Sequence, residues 1–522
     1  MKTRSFLLST LAAFMLAGCS SEEAGENNIP GDDLNGKAYL SLSLKSHTAT
    51  TRATTKPGTS GESNAGTVTV LLFDKDDVCL DVVDFSGATV GNSGGEGNPS
   101  AAASEAKLVP EKTEKVFVVI NPYTAGWDFS KDAVKGKPWN TINAIIDATV
   151  ANVTGDKNFM MASAGTSDQG ALTDVKSNVF KPTEYTPEAE NQAKTNAKNT
   201  PAKINVDRLS AKVEVAVKSP NFTKPDGSNF TFGGWELSVT NKSVKLYSDL
   251  IPYDNATEGA VYRRDKNYLL SEQPDISENM EANMDAAFNY LKNINSAAET
   301  MPEVKRTDGT SLYCLENTMD AAAQQLGFTT KVVVKAQYTP KDLTVNTSYF
   351  SWKGNYYTLT TLKEEYTKHA NGSGLKVDLP DFLHKAGVMT DEVYGGTQEA
   401  KDNAVNTLQE NDFNEKTGII GRFCAVRYYH ASVCYYDVLI RHDQNVTTKM
   451  ALGRYGVVRN NWYHLELQSV SGPGTPWIPD PSDPDPNNPT PPDTDDDEAD
   501  AYLSVEITIN PWTFWTQGVD LH

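Results

Sequence analysis

The stretch AKVEVAVK, residues 211–218, sets Val213, Val215 and Val217 on one side of an extended chain, with polar or small residues between them. Period-two alternation of this kind marks a strand half buried in an antiparallel sheet. Similar runs, rich in β-branched and aromatic residues and bounded by Gly, Pro, Asn or Asp, recur along the chain: TVTVLLFD (67–74), KVFVVINP (115–122), WELSVTNK (235–242), TKVVVKAQY (330–338), YDVLIRHD (436–443) and NWYHLELQSV (461–470). Helical periodicity is sparse and is expected only at 140–153, at 276–294 and for a turn or two at 318–327. No βα alternation runs long enough for a parallel sheet, so the fold class is mainly β, built of antiparallel β-sandwiches with a few decorating helices.

Two polar stretches divide this body. KPTEYTPEAENQAKTNAKNTPAK (181–203) has almost no apolar content and reads as a connection between two domains. SGPGTPWIPDPSDPDPNNPTPPDTDDDEAD (471–500) is rich in Pro and Asp and reads as an extended, semi-rigid tether, partly mobile in a monomer. The resulting organisation is a leader over 1–19, a propeptide over 20–52, a first sandwich domain over 53–203, a second over 204–470, and a linker with a final strand over 471–522.

The net charge of −21 over 522 residues argues against a nucleic-acid surface, which needs clustered Lys and Arg. At the N-terminus, Lys2 and Arg4 precede an apolar run from Phe6 to Leu16, then Ala17, Gly18 and Cys19. The run is too short to span a bilayer and reads as a secretory signal, and LAGC resembles a bacterial lipobox that would leave Cys19 acylated. Glu22 and Glu23 just beyond it resemble the acidic tag of surface-exposed lipoproteins of some Gram-negative bacteria.

The chain also repeats itself. AYLSLSL at 38–44 and AYLSVEI at 501–507 share their lead residues and their alternation. Leu40, Leu42 and Leu44 line one face of the first copy; Leu503, Val505, Ile507 and Ile509 line one face of the second. Two such segments compete for one groove. Between the first copy and the body, SHTATTRATTKPGTSGESNAG (46–66) is small and polar, a protease-accessible stretch with a single arginine, Arg52. Cutting the Arg52–Ala53 bond would detach both the first strand and the lipid anchor. The vacated groove would then take the tethered strand of a neighbour, a β-augmentation that runs head to tail and does not close. The competing reading makes Arg52 incidental and the repeat a coincidence of strand composition.

These residues resemble the Mfa-type fimbrillins, stalk subunits of Bacteroidales type V pili. The resemblance rests on the lipobox, the strand before Arg52, NVDRLSAKVEV (205–215), YCLENT (313–318), and above all RYGVVRNNWYHLELQSVSGPGTP (454–476) and INPWTFWTQGVDL (509–521). It implies two transthyretin-like sandwich domains and an outer-membrane lipoprotein precursor. It further implies processing by an arginine-specific protease and donor-strand exchange into an extracellular fimbrium that supports adhesion and biofilm formation. The implied partners are other copies of the chain and the anchor and tip subunits. Having both Arg52 and a full tail, the chain resembles a stalk subunit.

Nothing points to an enzyme, a cofactor or a metal. GNSGG (91–95) satisfies G-x-S-x-G but reads as a loop without the strand-turn-helix setting of a nucleophile elbow. His369, His384, His430, His442 and His464 lack ligand spacing, and the Asp run at 480–500 lacks the turn glycine and closing glutamate of a calcium loop. Beyond Cys19 the cysteines are Cys79, Cys314, Cys424 and Cys434; the last two are placed either to face each other across a hairpin or to sit as buried free thiols. The alternative function is a monomeric surface lipoprotein that binds glycan or host protein.

Overall fold

The computed structural model describes residues 36–46, 56–57, 59, 61–92, 102–155, 158–166, 168–253, 261–443, 445–498 and 503–513. Cys19, Arg52 and Ala53 lie outside these residues. The chain is mainly β.

A first sheet of eight strands runs in spatial order Cys79–Asp84, Val68–Phe73, Lys115–Ile120, Met161–Ser163, Ala202–Arg208, Leu42–Ser46 and Val90–Asn92, with Thr173–Asp174 joining beside Lys115–Ile120. Its central run, KVFVVI, shows what holds it. Val116, Val118 and Ile120 enter one core with Leu40, Leu42, Leu44, Val70 and Ile204, whereas Phe117 and Val119 enter a second core with Leu71, Phe73 and Trp127. A strand covered on both faces is apolar throughout, which is why this run does not alternate. Gly91, expected in a loop, is instead part of the Val90–Asn92 edge strand of this sheet.

The second half is a sandwich. One sheet orders Ser311–Leu315, Ser210–Val217, Asn461–Val470, Leu503–Thr513 and Lys56–Pro57; the other orders Asn221–Thr223, Asn229–Ser238, Lys331–Thr339 and Val433–Leu439. Val213 and Val215 face Trp235, Val332, Val334 and Ala336 across the core between them, as the alternation in AKVEVAVK requires. The chain passes from the first sheet to the second at Leu209, which is fully buried, a few residues beyond the expected 203/204 division.

Helix is where the structure departs from expectation. Residues 140–153 do not form one helix: short turns at Trp139–Ile142 and Val150–Thr154 flank a strand, Ile145–Asp147, that pairs with Ser243–Lys245. The helix expected over 276–294 is confined to Met280–Ala287, because Phe288–Asn289 pairs with Thr240–Asn241. The 318–327 segment is turns, not helix. Between Lys331–Thr339 and Val433–Leu439 lies an unexpected insertion. A three-stranded sheet (Asn355–Tyr357, Tyr349–Trp352, Val426–Tyr429) packs there with helices Leu359–Thr367, Leu375–Lys385, Asp391–Tyr394 and Gln398–Thr407 around their own core, while Ile419 of the short helix Thr417–Ile420 packs with Ile294 and Trp477.

Both polar stretches are structured. Within 181–203, Thr186 caps a helix over Pro187–Asn199 by accepting a hydrogen bond from the Ala189 amide, with Pro187 opening it. Its buried face consists of Ala193 and Ala197, one turn apart. Residues 471–498 of the stretch expected to be an extended tether form a strap on the second half: Trp477, Ile478, Asp480, Ser482, Asp483 and Asp496 are all buried.

Candidate strand-exchange site

The N-terminal strand and the tail strand occupy different sheets. Residues 37–46 form two short segments broken at Ser41. Lys37–Leu40 pairs antiparallel with Lys107–Pro110. Leu42–Ser46 lies between Ala202–Arg208 and Val90–Asn92, parallel to both. Ala38, Leu40, Leu42 and Leu44 have no exposed surface.

Tyr39 and Ser41 of this segment each meet a specific partner. The Tyr39 hydroxyl donates to Glu190 at 2.6 Å, its ring lies 5.0 Å from the Lys194 ammonium, and its amide and carbonyl pair with those of Phe180. The Ser41 hydroxyl donates to the Ser104 carbonyl at 2.7 Å, and the Ser104 hydroxyl accepts from the Leu42 amide at 2.9 Å. Burial, followed by the hydrogen bond to Glu190, raises the Tyr39 phenol above its ordinary value.

Within 46–66, expected to be open to proteases throughout, the part around Glu62 is instead buried and pinned between the two halves. Glu62 accepts from the Lys212 ammonium at 2.9 Å, from the Thr59 amide at 2.5 Å and from the Tyr313 hydroxyl. Its carbonyl accepts from Arg208 Nε at 2.8 Å. Burial opposes ionisation of Glu62, but the bonds from Tyr313 and Lys212 outweigh it and hold the carboxyl below its ordinary value. Lys212 also lies 3.8 Å from the centroid of the Trp462 ring. Deeper in the same region Arg263 pairs with Asp207 at 2.5 Å and Arg459 with Glu316 at 3.0 Å.

The tail strand Leu503–Thr513 pairs antiparallel with Asn461–Val470 of its own chain. Leu503, Val505, Ile507 and Ile509 stand in register with Val470, Leu467, Leu465 and Tyr463, four residues of the sandwich core. Its far end, Trp512 and Thr513, pairs with Lys56 and Pro57.

The strap that leads to the tail is held by its own acids. Asp483 receives Arg422 Nε at 2.6 Å, and that guanidinium also donates to the carbonyls of Ile294 and Ile419. Asp485 pairs with Lys385 at 2.5 Å; Asp497 receives Arg454 at 2.6 Å, the Met450 amide at 2.7 Å and the Tyr455 hydroxyl at 3.0 Å. Gly474 sits where any side chain would collide, since an added Cβ would lie 2.1 Å from the Tyr435 carbonyl oxygen. Burial raises Asp480, and it pushes Asp496 up to about 8 against the hydrogen bond from Thr329 and the charge of Lys331.

Among the described residues, no three His, Cys, Asp or Glu are grouped to hold a metal ion, and no helix is long and apolar enough to cross a membrane. Cys79, Cys314 and Cys434 are buried free thiols, and Cys424, half-buried, is free as well. The sequence repeat and the alternation located both strands. Glu62, Ser104, Glu190 and Arg422 carried no local signal, because their partners lie far away in the sequence.

These observations define a mainly β chain that covers one buried N-terminal strand with its first half and folds a second strand onto its own C-terminal sheet. Residues 427–518, which include the tail's pairing partner, match the family described as Major fimbrial subunit protein type IV, Fimbrillin, C-terminal. That match bears out the resemblance to the fimbrillins drawn from RYGVVRNNWYHLELQSVSGPGTP and the tail. No curated protein matches the chain. Among solved structures it is similar to a putative cell adhesion protein from Parabacteroides distasonis (10% identity, 92% of this chain and 99% of that one, TM-score 0.39). It is similar also to the tip fimbrial protein Mfa3 from Porphyromonas gingivalis with C-terminal truncation (12%, 91% and 100%, 0.31) and to the fimbrial anchor protein Mfa2 from Porphyromonas gingivalis (14%, 44% and 70%, 0.21).

Proposed function

We propose that this chain is a structural subunit of a cell-surface pilus, exported as an outer-membrane lipoprotein through Cys19 and polymerised after cleavage at Arg52–Ala53. The observation that carries the reading is the complete burial of Leu40, Leu42 and Leu44 in a strand whose link to the body holds a single arginine. Three such side chains contribute on the order of 5–9 kcal/mol before entropy. While this strand is attached, its slot is filled and the monomer does not polymerise. Once an arginine-specific protease cuts the link, the strand becomes a separate peptide that dilution removes, and a neighbour's tail, Leu503, Val505, Ile507 and Ile509, refills the slot. Donor and acceptor lie at opposite ends of the chain, so the contact propagates as a filament. Anchor and tip subunits are the expected partners at its ends, in a fimbrium serving adhesion and biofilm formation. The two sheets and the connection at Leu209 support a division into an N-terminal and a C-terminal domain.

A second reading draws on the tail pairing in cis with Asn461–Val470: a monomeric surface lipoprotein that binds glycan or host protein and keeps both strands. Treating soluble residues 20–522 with an arginine-specific protease separates the two. A new N-terminus at Ala53 with a ladder of multimers, lost on deleting 501–522, supports strand exchange. A cut species that stays monomeric at high concentration overturns it.

A further inference from the structure

We infer that residues 501–507 of a second copy enter the slot of the N-terminal strand in a single register, with Tyr502 in the place of Tyr39 and Ser504 in the place of Ser41; this rests on the strand-exchange reading above. An apolar groove alone does not fix register, because sliding a strand by two residues returns the same face to the core. The polar contacts of the present occupant do fix it. Tyr39 is held through its hydroxyl by Glu190 and over its ring by Lys194, and Ser41 through its hydroxyl by Ser104. Both residue types recur, two apart, at 502 and 504, and in the order AYLS each has its matching neighbour.

Two further observations favour this register. In its cis position Ser504 is exposed, so packing there does not call for a serine. The one change of chemistry between the copies is Ser43 against Glu506, and Ser43 stands in register with Lys203, an exposed cation. Glu506 in that place stands across from an opposite charge, so the slot fits the tail of a neighbour electrostatically as well as by shape.

A disulfide trap reads the register directly. Ser41 Oγ and Ser104 Oγ are 3.4 Å apart, so Ser41→Cys with Ser104→Cys serves as the intrachain control in the uncut protein. In residues 20–522 carrying Ser104→Cys and Ser504→Cys, processing followed by mild oxidation should give a ladder of covalent multimers on a non-reducing gel. Each single variant, and Ser104→Cys with Glu506→Cys, should give none. Multimers that form without the 104–504 crosslink, or that crosslink equally through position 506, overturn the register and leave strand exchange standing. A processed wild-type chain that makes no multimers overturns strand exchange itself, and the register with it. Should the cysteine variants misfold, Glu190→Gln and Tyr502→Phe test the same contact: each should slow polymer growth about ten-fold and the pair no further than one alone, since both remove one charge-assisted bond. Fully additive slowing overturns the proposal.

Discussion

Glu62 and Lys212 meet 2.9 Å apart with 2% and 6% of their side chains exposed, one from the segment that follows the expected cleavage site and the other from the strand that opens the second half of the chain. The pair ties the residues that would remain after cleavage to the body of the molecule.

Removing one partner leaves the other charge buried. Glu62→Ala should therefore destabilise the folded chain by about 3–5 kcal/mol, read as a shift in the urea midpoint. The penalty depends on pH. Because the folded carboxyl titrates below its ordinary 4.5, its contribution is fully present above that value and is lost as the pH falls through the folded one. Wild type and Glu62→Ala should accordingly converge in acid. A gap that stays constant down to pH 3 would mean that the side chain acts by packing and not by charge.

The strap depends on a guanidinium from the helical insertion. Arg422 fills its donors with Asp483, two carbonyls and Asn295, and both members of the ion pair are buried. Arg422→Ala should make residues 471–498 sensitive to limited proteolysis and cost about 3–5 kcal/mol, whereas Lys385→Ala, at a more exposed pair, should cost about 0–1 kcal/mol. Equal protease sensitivity of the two variants would place the strap's hold elsewhere.

Much of the β framework was legible because a strand declares itself over a few neighbouring residues. Val213, Val215 and Val217, the KVFVVI run, residues 38–40 and 42–44 of the first repeat and residues 503–507 of the second all form strands. The misreadings share a cause. Asp483, Asp485 and Asp497 look like a solvated acidic linker because the arginines and lysine that neutralise them come from 422, 454 and 385. Residues 140–153 carry helical periodicity, but pairing of Ile145–Asp147 with a distant strand overrides it. The helical insertion did leave a local trace. Thr358, Thr390 and Thr397 each cap a helix, and Leu375, Leu379, Phe382 and Leu383 follow helical spacing into a buried core.

The thiols give a simple check on the packing of both halves. Burial raises Cys79 to about 11, Cys314 to about 12 and Cys434 to about 11, so none is a thiolate near neutrality. In native residues 20–522 a thiol reagent should modify Cys424 alone, and slowly, since its own value is raised by burial; unfolding should release all four. Fast labelling of Cys314 in the native protein would contradict the sandwich core, where it packs with Val213 and Val215.

The last prediction concerns Asp496, at the end of the strap and a few residues before the tail strand. One carboxylate oxygen receives the Thr329 hydroxyl at 2.5 Å; the other is buried without a hydrogen-bond partner, a setting that suits the neutral acid. Its folded pKa of about 8 stands above the ordinary 3.8, so the folded chain holds a proton that the unfolded chain releases. The sign follows: this group's contribution is fully present below the ordinary value, declines as the pH rises, and is gone once the pH passes about 8. Asp265, also raised to about 8 by burial and the nearby Glu316, adds a slope of the same sign. Asp496→Asn keeps the shape and removes the titration. The Tm advantage of the variant over wild type should therefore be smaller near pH 5 than near pH 9, where it should reach several degrees, with slower hydrogen exchange in 503–513 at the higher pH. A variant whose Tm gap does not change with pH would mean that Asp496 ionises in the folded chain as it does in water.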